Sequence, residues 1–313
     1  MRTTTRLAGI GALAALTVAL TACGAVAGQP SALALDPAPA SFGGSPQGGG
    51  SPQSGGDGRT GGPEAVGLTA DGVLVAFGVD DPGGAREIGE VDGLQGDDHL
   101  VGIDYRVQDG KLYGVGDRGG VYTIDDTHAG ATKVRQLTVD LDGESFGVDF
   151  NPAANALRII SDTGQNLRQP FATPDAPTAE DTALTNPATP PATGTVPAGG
   201  VTAAGYTNND TDMSTATTLF DLDTTLDRVA VQSPANAGSL APAGNLGVDI
   251  GPDAGLDIYT TLDNGRAVDN DAYAAVTVNG DQKLLGVDLL TGDSTVLGDF
   301  GIPVTDLAVK LQG

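Results

Sequence analysis

Three aspartates recur in one local setting. Gly102-Ile103-Asp104, Gly147-Val148-Asp149 and Gly247-Val248-Asp249 each put a carboxylate two residues after a glycine, within a short apolar run. In a β-strand, alternation places Gly102 and Asp104 on one face and Ile103 and Tyr105 on the other. Glycine in such a strand permits close approach of another backbone. If the strands line a common axis, Asp104, Asp149 and Asp249 converge there, with Asp306 in Thr305-Asp306-Leu307 as a fourth candidate. Clustered carboxylates are hard oxygen ligands and suit calcium, which takes about six to eight of them. The simpler use is structural, with each carboxylate accepting backbone N–H bonds from a turn or a neighbouring repeat. The structural role is the favoured reading and calcium its alternative.

A second constellation is polar rather than acidic. The stretch Asp162-Thr163-Gly164-Gln165-Asn166-Leu167-Arg168 offers amide donors and a guanidinium, groups that recognise a glycan or a peptide carboxylate. Together with a later polar loop it makes Asn166, Arg168, Asn208 and Asn209 the candidate ligand-binding residues. Against this, Asp-Thr-Gly is ordinary turn chemistry and Arg168 has many acids to pair with. No catalytic residue is assigned. The two histidines, His99 and His128, lie in contexts that do not suggest an oriented, shielded triad member. Scattered histidines and a single cysteine make a poor zinc site. No P-loop or dinucleotide fingerprint occurs, and neither Asn208 to Asp212 nor Asp221-Leu222-Asp223 completes an EF-hand loop.

The elements that must position these residues are strands. From Glu64 onward, apolar runs of about four to seven residues alternate with Gly, Asp, Asn and Pro clusters, the pattern of an all-β chain. Leu100 to Tyr105 recurs as Ser145 to Phe150 and as Asn245 to Ile250. Each is followed by a turn and a second strand, at Lys111 to Val115, Ala156 to Ile160 and Gly255 to Tyr259. The interval of about 45 residues between Asp104 and Asp149 is that of β-propeller blades. Four units are expected at 98–140, 144–200, 201–243 and 245–300. A fifth joins 304–309 to 64–96, so that pairing of the N- and C-terminal strands closes the ring and removes exposed edges. Six blades is the alternative count, because Ala272 to Val278 is an extra strand-like run, and a β-sandwich is the competing fold.

Before the repeats comes an address. Arg2 and Arg6 precede an uncharged, mostly apolar run, Leu7 to Leu20. It is shorter than the ~20 residues of a spanning helix and reads as a secretory signal. The run ends Leu20-Thr21-Ala22-Cys23-Gly24, which resembles the bacterial lipobox, where the cysteine sulfur receives a diacylglyceryl group and the preceding peptide bond is cut. Cys23 is the only cysteine, and lipidation accounts for it better than an unpaired thiol in an exported protein. The expected division is 1–22 signal, 23–63 Gly/Ser/Pro-rich disordered tether and 64–313 folded domain. The tether's typical reach is ~35 Å. The expected location is the extracytoplasmic face of the cell membrane, with the lipid as the only membrane contact. The formal charge of −25 becomes two units more negative once Arg2 and Arg6 leave. Such a surface repels phosphate backbones, which excludes nucleic acid as a partner, and stands off anionic headgroups.

The run Phe146-Gly147-Val148-Asp149-Phe150-Asn151-Pro152, followed by Leu157 to Arg168, resembles the central signature of the bacterial family called domain of unknown function 4394. Ala204 to Asn209, Thr218 to Asp223, Asn245 to Asp249, Gly67-Leu68-Thr69 and Val304 to Val309 follow its pattern too. The likeness spans nearly all of 64–313 and departs at a Pro/Ala/Thr-rich insertion, 169–200. The resemblance implies an exported, repeat-built protein and carries over no catalytic residue. The expected function is therefore a non-enzymatic, membrane-tethered propeller that binds an envelope protein or glycan. The alternatives are a calcium-dependent propeller enzyme of the lactonase or lyase kind, and a purely structural envelope protein.

Overall fold

The computed structural model describes residues 61–312; the expected signal, Cys23 and almost all of the expected tether lie outside the described residues. The described residues form five four-stranded antiparallel sheets and one small hairpin. Blade 1 holds β1 (Glu64–Thr69), β2 (Val73–Gly78) and β3 (Asp81–Glu90). Blade 2 is β4 (Leu100–Arg106), β5 (Lys111–Gly116), β6 (Gly120–Ile124) and β7 (Ala131–Gln136). Blade 3 is β8 (Phe146–Asn151), β9 (Ala156–Ser161), β10 (Asn166–Pro170) and β11 (Ala179–Glu180). The hairpin β12 (Thr185–Pro187) and β13 (Thr195–Pro197) follows. Blade 4 is β14 (Val201–Tyr206), β15 (Leu219–Asp223), β16 (Arg228–Gln232) and β17 (Leu240–Asn245). Blade 5 is β18 (Ala254–Asp263), β19 (Arg266–Val278), β20 (Asp281–Val287) and β21 (Ser294–Asp299).

The last strand, β22 (Val304–Val309), returns to blade 1 and pairs with β1, setting Ala65 opposite Val309 and Gly67 opposite Leu307. The innermost strands then pack in a closed cycle, β22 on β4, β4 on β8, β8 on β14, β14 on β18 and β18 on β22. This is a five-bladed propeller closed by its two chain ends. The strand-like run Ala272 to Val278 is part of the second strand of blade 5, not a sixth blade. The sandwich alternative is excluded by the cyclic packing. The insertion in 169–200 leaves blade 3 with an outer strand of two residues, beside the added hairpin.

The inner strands are buried along nearly their whole length, β9 and β14 at every residue, so both faces of the inner sheet pack against neighbouring blades. The described core divides into five clusters, one at each blade junction. Between blades 2 and 3, for example, Val115 and Val121 meet Val148, Leu157 and Ile159. Tight hairpins set the strand registers. Asn264-Gly265 and Asn279-Gly280 both take positive φ (50° and 76°, 53° and 91°), the conformation that lets a two-residue turn match the strand twist.

The third Gly-hydrophobic-Asp unit lies one turn later in the chain than the spacing predicts. Asn245 to Ile250 is not an innermost strand: β17 ends at Asn245, and Gly247 turns left-handed at φ 75°. Asp227 holds this loop, accepting the Leu246 N–H on its backbone oxygen and the Ile250 N–H on its carboxylate. The innermost strand of blade 5 starts at Ala254, so its repeat is Gly255-Leu256-Asp257.

The glycines of the true repeat are sites of close approach. A Cβ on Gly102 would lie 2.5 Å from Val148 Cγ2, and one on Gly147 would lie 2.7 Å from the Ala204 backbone nitrogen. Backbone cannot yield as a side-chain methyl can. Gly147→Ala is expected to destabilise the protein by about 1–3 kcal/mol in chemical denaturation. Gly301→Ala, where a Cβ meets nothing within 4 Å, should stay within about 0.5 kcal/mol of wild type.

Candidate functional site

Strand alternation turns Gly102 and Asp104, Gly147 and Asp149, and Gly255 and Asp257 toward the next blade in the cycle. There each carboxylate takes an amide of the neighbouring innermost strand. Asp104 Oδ2 accepts the Phe150 N–H at 2.7 Å, Asp149 Oδ1 the Tyr206 N–H at 3.1 Å, and Asp257 Oδ2 the Val309 N–H at 2.5 Å. Asp306 sits at the glycine level of β22 and accepts the Ile103 N–H at 2.8 Å. Four of the five junctions thus carry a carboxylate-to-backbone latch.

The fifth junction, between blades 4 and 5, has Ala203 and Gly205 where the others have an acid. Asparagines close it instead. The Asn209 N–H donates to Thr260 Oγ1 at 2.9 Å and its Nδ2 to the Ile258 carbonyl at 3.0 Å. The Asn208 N–H donates to Asn270 Oδ1, and Asn270 Nδ2 donates back to Asn208 Oδ1, both at 2.9 Å.

The aspartates also meet one another. One carboxylate oxygen each from Asp104, Asp149 and Asp257 lie within 4.8 Å of one another, all buried. Asp249 does not join them; it is exposed in the loop before β18. Burial pushes Asp104 and Asp149 well above the ordinary carboxylate range, and their acidic neighbours push in the same direction. Burial lifts Asp257 to about 6 and raises Asp306 well above its usual value, against the pull of the Ile103 N–H. Three such carboxylates cannot all ionise in a dry interior. Either protons or a hard cation must offset their charge, and Asp104, Asp149 and Asp257 are the residues that would hold a cation.

At one end of the axis lies a recess of about 180 Å³, lined by His99, Glu144, Ser145, Asp253 and Asp306 among others. Ser145 Oγ donates to Asp253 Oδ1 at 2.7 Å, joining blade 3 to the segment that enters blade 5. His99 lines this recess but binds Asp117 Oδ1 through its backbone N–H. His128 stands in an exposed turn beside Thr127 and Asp125.

The other sequence-derived ligand residues are occupied internally. Asn166 is 1% exposed, and its Nδ2 donates to the carbonyls of Thr182 and Ala235. Its Oδ1 accepts from Arg158 Nη1 at 2.7 Å. Arg168 grips Asp181 through Nε and Nη2 at 3.0 and 3.1 Å. The organiser of this cluster is Arg158, itself buried, which also reaches Asp181, Asn236 and Tyr206. Asn166 and Arg168 therefore come together, but as parts of the junction between blades 3 and 4. Asn208 and Asn209 lie at a different junction. A charged residue inside the apolar run Leu157-Arg158-Ile159-Ile160 was the available signal for this network.

A cleft of about 920 Å³ lies between blades 4 and 5. Thr207, Thr218 and Phe220 form one wall, and Val268 to Tyr273 with Gly286 to Leu290 form the other. Asp269, Asp271, Asp288 and Asp293 line it, with no lysine, arginine or histidine. Leu290 and Val268 project into solvent at 81% and 60% exposure. Burial raises the Asp271 pKa, and the nearby Asp269 raises it further.

Comparison with known proteins yields a family and a set of distant folds. The model of the family described as Domain of unknown function (DUF4394) matches residues 73–308. No curated protein sequence matches the chain. A crystal structure of a protein from Lactobacillus plantarum is 17% identical, covers 77% of this chain and 68% of its own, and has a TM-score of 0.38. A protein of unknown function from Bacteroides thetaiotaomicron is 13% identical over 82% and 67%, with a TM-score of 0.43. A nidogen/laminin complex includes a chain 11% identical over 79% and 84%, with a TM-score of 0.41.

The axial acids have a measurable consequence. A carboxyl raised in the folded state holds its proton more tightly there than in the unfolded chain. Its stabilising contribution is full below the ordinary carboxylate value of 3.8, and is lost as pH climbs through about 6 for Asp257 and through the likewise raised values of Asp104, Asp149 and Asp306. With chelator present, Asp257→Asn, an uncharged isostere, should gain stability relative to wild type as pH rises from about 4 to 7. Asp257→Ala, which loses the Val309 latch, should be destabilised by about 1–3 kcal/mol at low pH. A wild-type-minus-Asn difference that is flat or of opposite slope in denaturation curves would contradict the assignment.

Proposed function

The chain belongs to the family described as domain of unknown function DUF4394, and from that premise we propose that it is a lipid-anchored, non-enzymatic propeller that binds a partner at the cell envelope. The observation that carries the reading is the cleft between blades 4 and 5. It combines about 920 Å³ of concavity with unshielded acids and exposed apolar side chains, on a surface that a monomer would otherwise keep polar. The anchor is supported by the sequence alone, through Leu20 to Gly24 and the solitary Cys23. A lipid on Cys23 and a Gly/Ser/Pro-rich tether would hold an acidic head away from an anionic bilayer, leaving the cleft open to proteins or glycans of the envelope.

A second reading rests on the meeting of Asp104, Asp149 and Asp257: the axis takes a hard cation, for which calcium is suited. A bound cation would turn the loss of stability with rising pH into a gain, because it competes with protons for the same oxygens. Metal-assisted chemistry would then be centred on the buried axial carboxylates, none of which lines the cleft.

Photo-crosslinking in the parent cells tests the binding reading. A crosslinking side chain at Val268 or Leu290 should give discrete adducts, and one at Leu226, which is 49% exposed on a turn of blade 4, should give none. Cys23→Ser should abolish incorporation of labelled fatty acid into the protein. Absence of adducts at both cleft positions would overturn the binding site, and undiminished fatty-acid labelling of Cys23→Ser would overturn the anchor.

A further inference from the structure

Blade 5 is built unevenly. Its second strand, β19, pairs with β18 from Arg266 to Val276, but with β20 only from Ala272 onward. Residues 266–271 therefore have a strand neighbour on one side alone. The free edge faces the cleft, whose lining includes Val268 to Ala272 and, beyond the end of β20, Asp288 to Leu290. Part of the edge is already guarded, since the Ala267 N–H donates to Asp210 Oδ2 at 3.0 Å. An unpaired strand edge is a template for another strand unless it is blocked by proline, bulges or charge. Beyond Arg266, which opens the stretch, the charge here is acidic, and Asp269 and Asp271 repel each other across a single pleat.

We propose that this edge accepts an extended, lysine- or arginine-bearing polypeptide segment of an envelope partner, which adds a strand to blade 5 beside β19. The inference rests on the cleft being the binding face. Six residues of strand span about 20 Å, matching the unpaired stretch. Main-chain pairing would supply register, and alternate side chains would enter the cleft. Basic side chains meet Asp269, Asp271, Asp288 and Asp293, while apolar ones cover Val268, Leu290 and Leu297. Charge argues against the two other occupants within reach. The chain's own residues 24–60 carry Asp36 and Asp57 against Arg59, so they have no cationic run to offer. A second copy carries the same large negative charge of −25.

The test uses the full chain and a blocked ten-residue peptide of alternating lysine and valine, followed by fluorescence anisotropy at 0.15 M salt, an ionic strength at which the Debye length is about 8 Å. The peptide should bind, and its glutamate-valine counterpart should not. N-methylation of alternate peptide amides on one edge should weaken binding at least tenfold, while methylation on the other edge leaves it unchanged. Asp269→Asn with Asp271→Asn should weaken binding about tenfold, and Glu87→Gln with Glu90→Gln, which removes the same charge from blade 1, should not. Equal losses from both double variants, or indifference to N-methylation, would reduce the contact to bulk charge and overturn strand addition. Failure of the peptide to bind, with crosslinks at Val268 and Leu290 intact, would overturn this inference and leave the binding reading standing. Recovery of a glycan as the crosslinked species would also overturn it.

Discussion

The propeller depends on how its innermost strands tolerate one another. Five strands crowd around one axis, and each presents amides that have no partner within its own blade. In blades 2, 3 and 5 the chain answers with a glycine, which lets the next blade approach, and an aspartate two residues on, which caps the exposed N–H. A buried carboxylate is costly in isolation. Here each one is offset by an amide bond to the next blade, and the clustered acids share a charge that protons or a hard cation must offset. The same residues that close the ring thereby create its most unusual electrostatic feature.

That arrangement also explains where the molecule is open. Blades 1, 2, 3 and 5 each reach forward with an axial aspartate. Blade 4 cannot, because Ala203 and Gly205 occupy both positions. Its junction with blade 5 is held by Asn208 and Asn209 at the far end of β14, and the broad cleft opens beside this clasp. The polar loop that carries the clasp also guards the free edge of β19 through Asp210. A junction closed by neutral asparagines, flanked by unpaired acids, differs in kind from the other four.

Much of this was legible in the residues. The Gly-hydrophobic-Asp units of β4 and β8, the blade interval and the return of Val304 to Val309 onto the first strands all follow from alternation and spacing. The third unit was displaced because Gly247-Val248-Asp249 and Gly255-Leu256-Asp257 satisfy the same pattern. What separates them is the left-handed turn at Gly247 and the hold of Asp227, a contact from another part of the chain. Asn166, Arg168, Asn208 and Asn209 stand out in the sequence as candidate ligand-binding residues, yet their partners in the fold include carbonyls, Asp181 and Asn270, which only tertiary structure brings near. The cleft escaped because it arises from unequal strand lengths in blade 5, and residue types do not record where β20 stops beside β19.

Amide hydrogen exchange tests the central claim most directly. If the carboxylate latches tie the ring together, the N–H groups of Ile103, Phe150, Tyr206 and Val309 should exchange only through global unfolding, with the slowest amides of the protein. Asp149→Ala should then speed exchange at Tyr206 far more than it speeds exchange at Phe150 or Val309. Exchange of all four amides through local opening in the wild-type protein, or an Asp149→Ala variant in which Tyr206 remains as protected as before, would contradict the account.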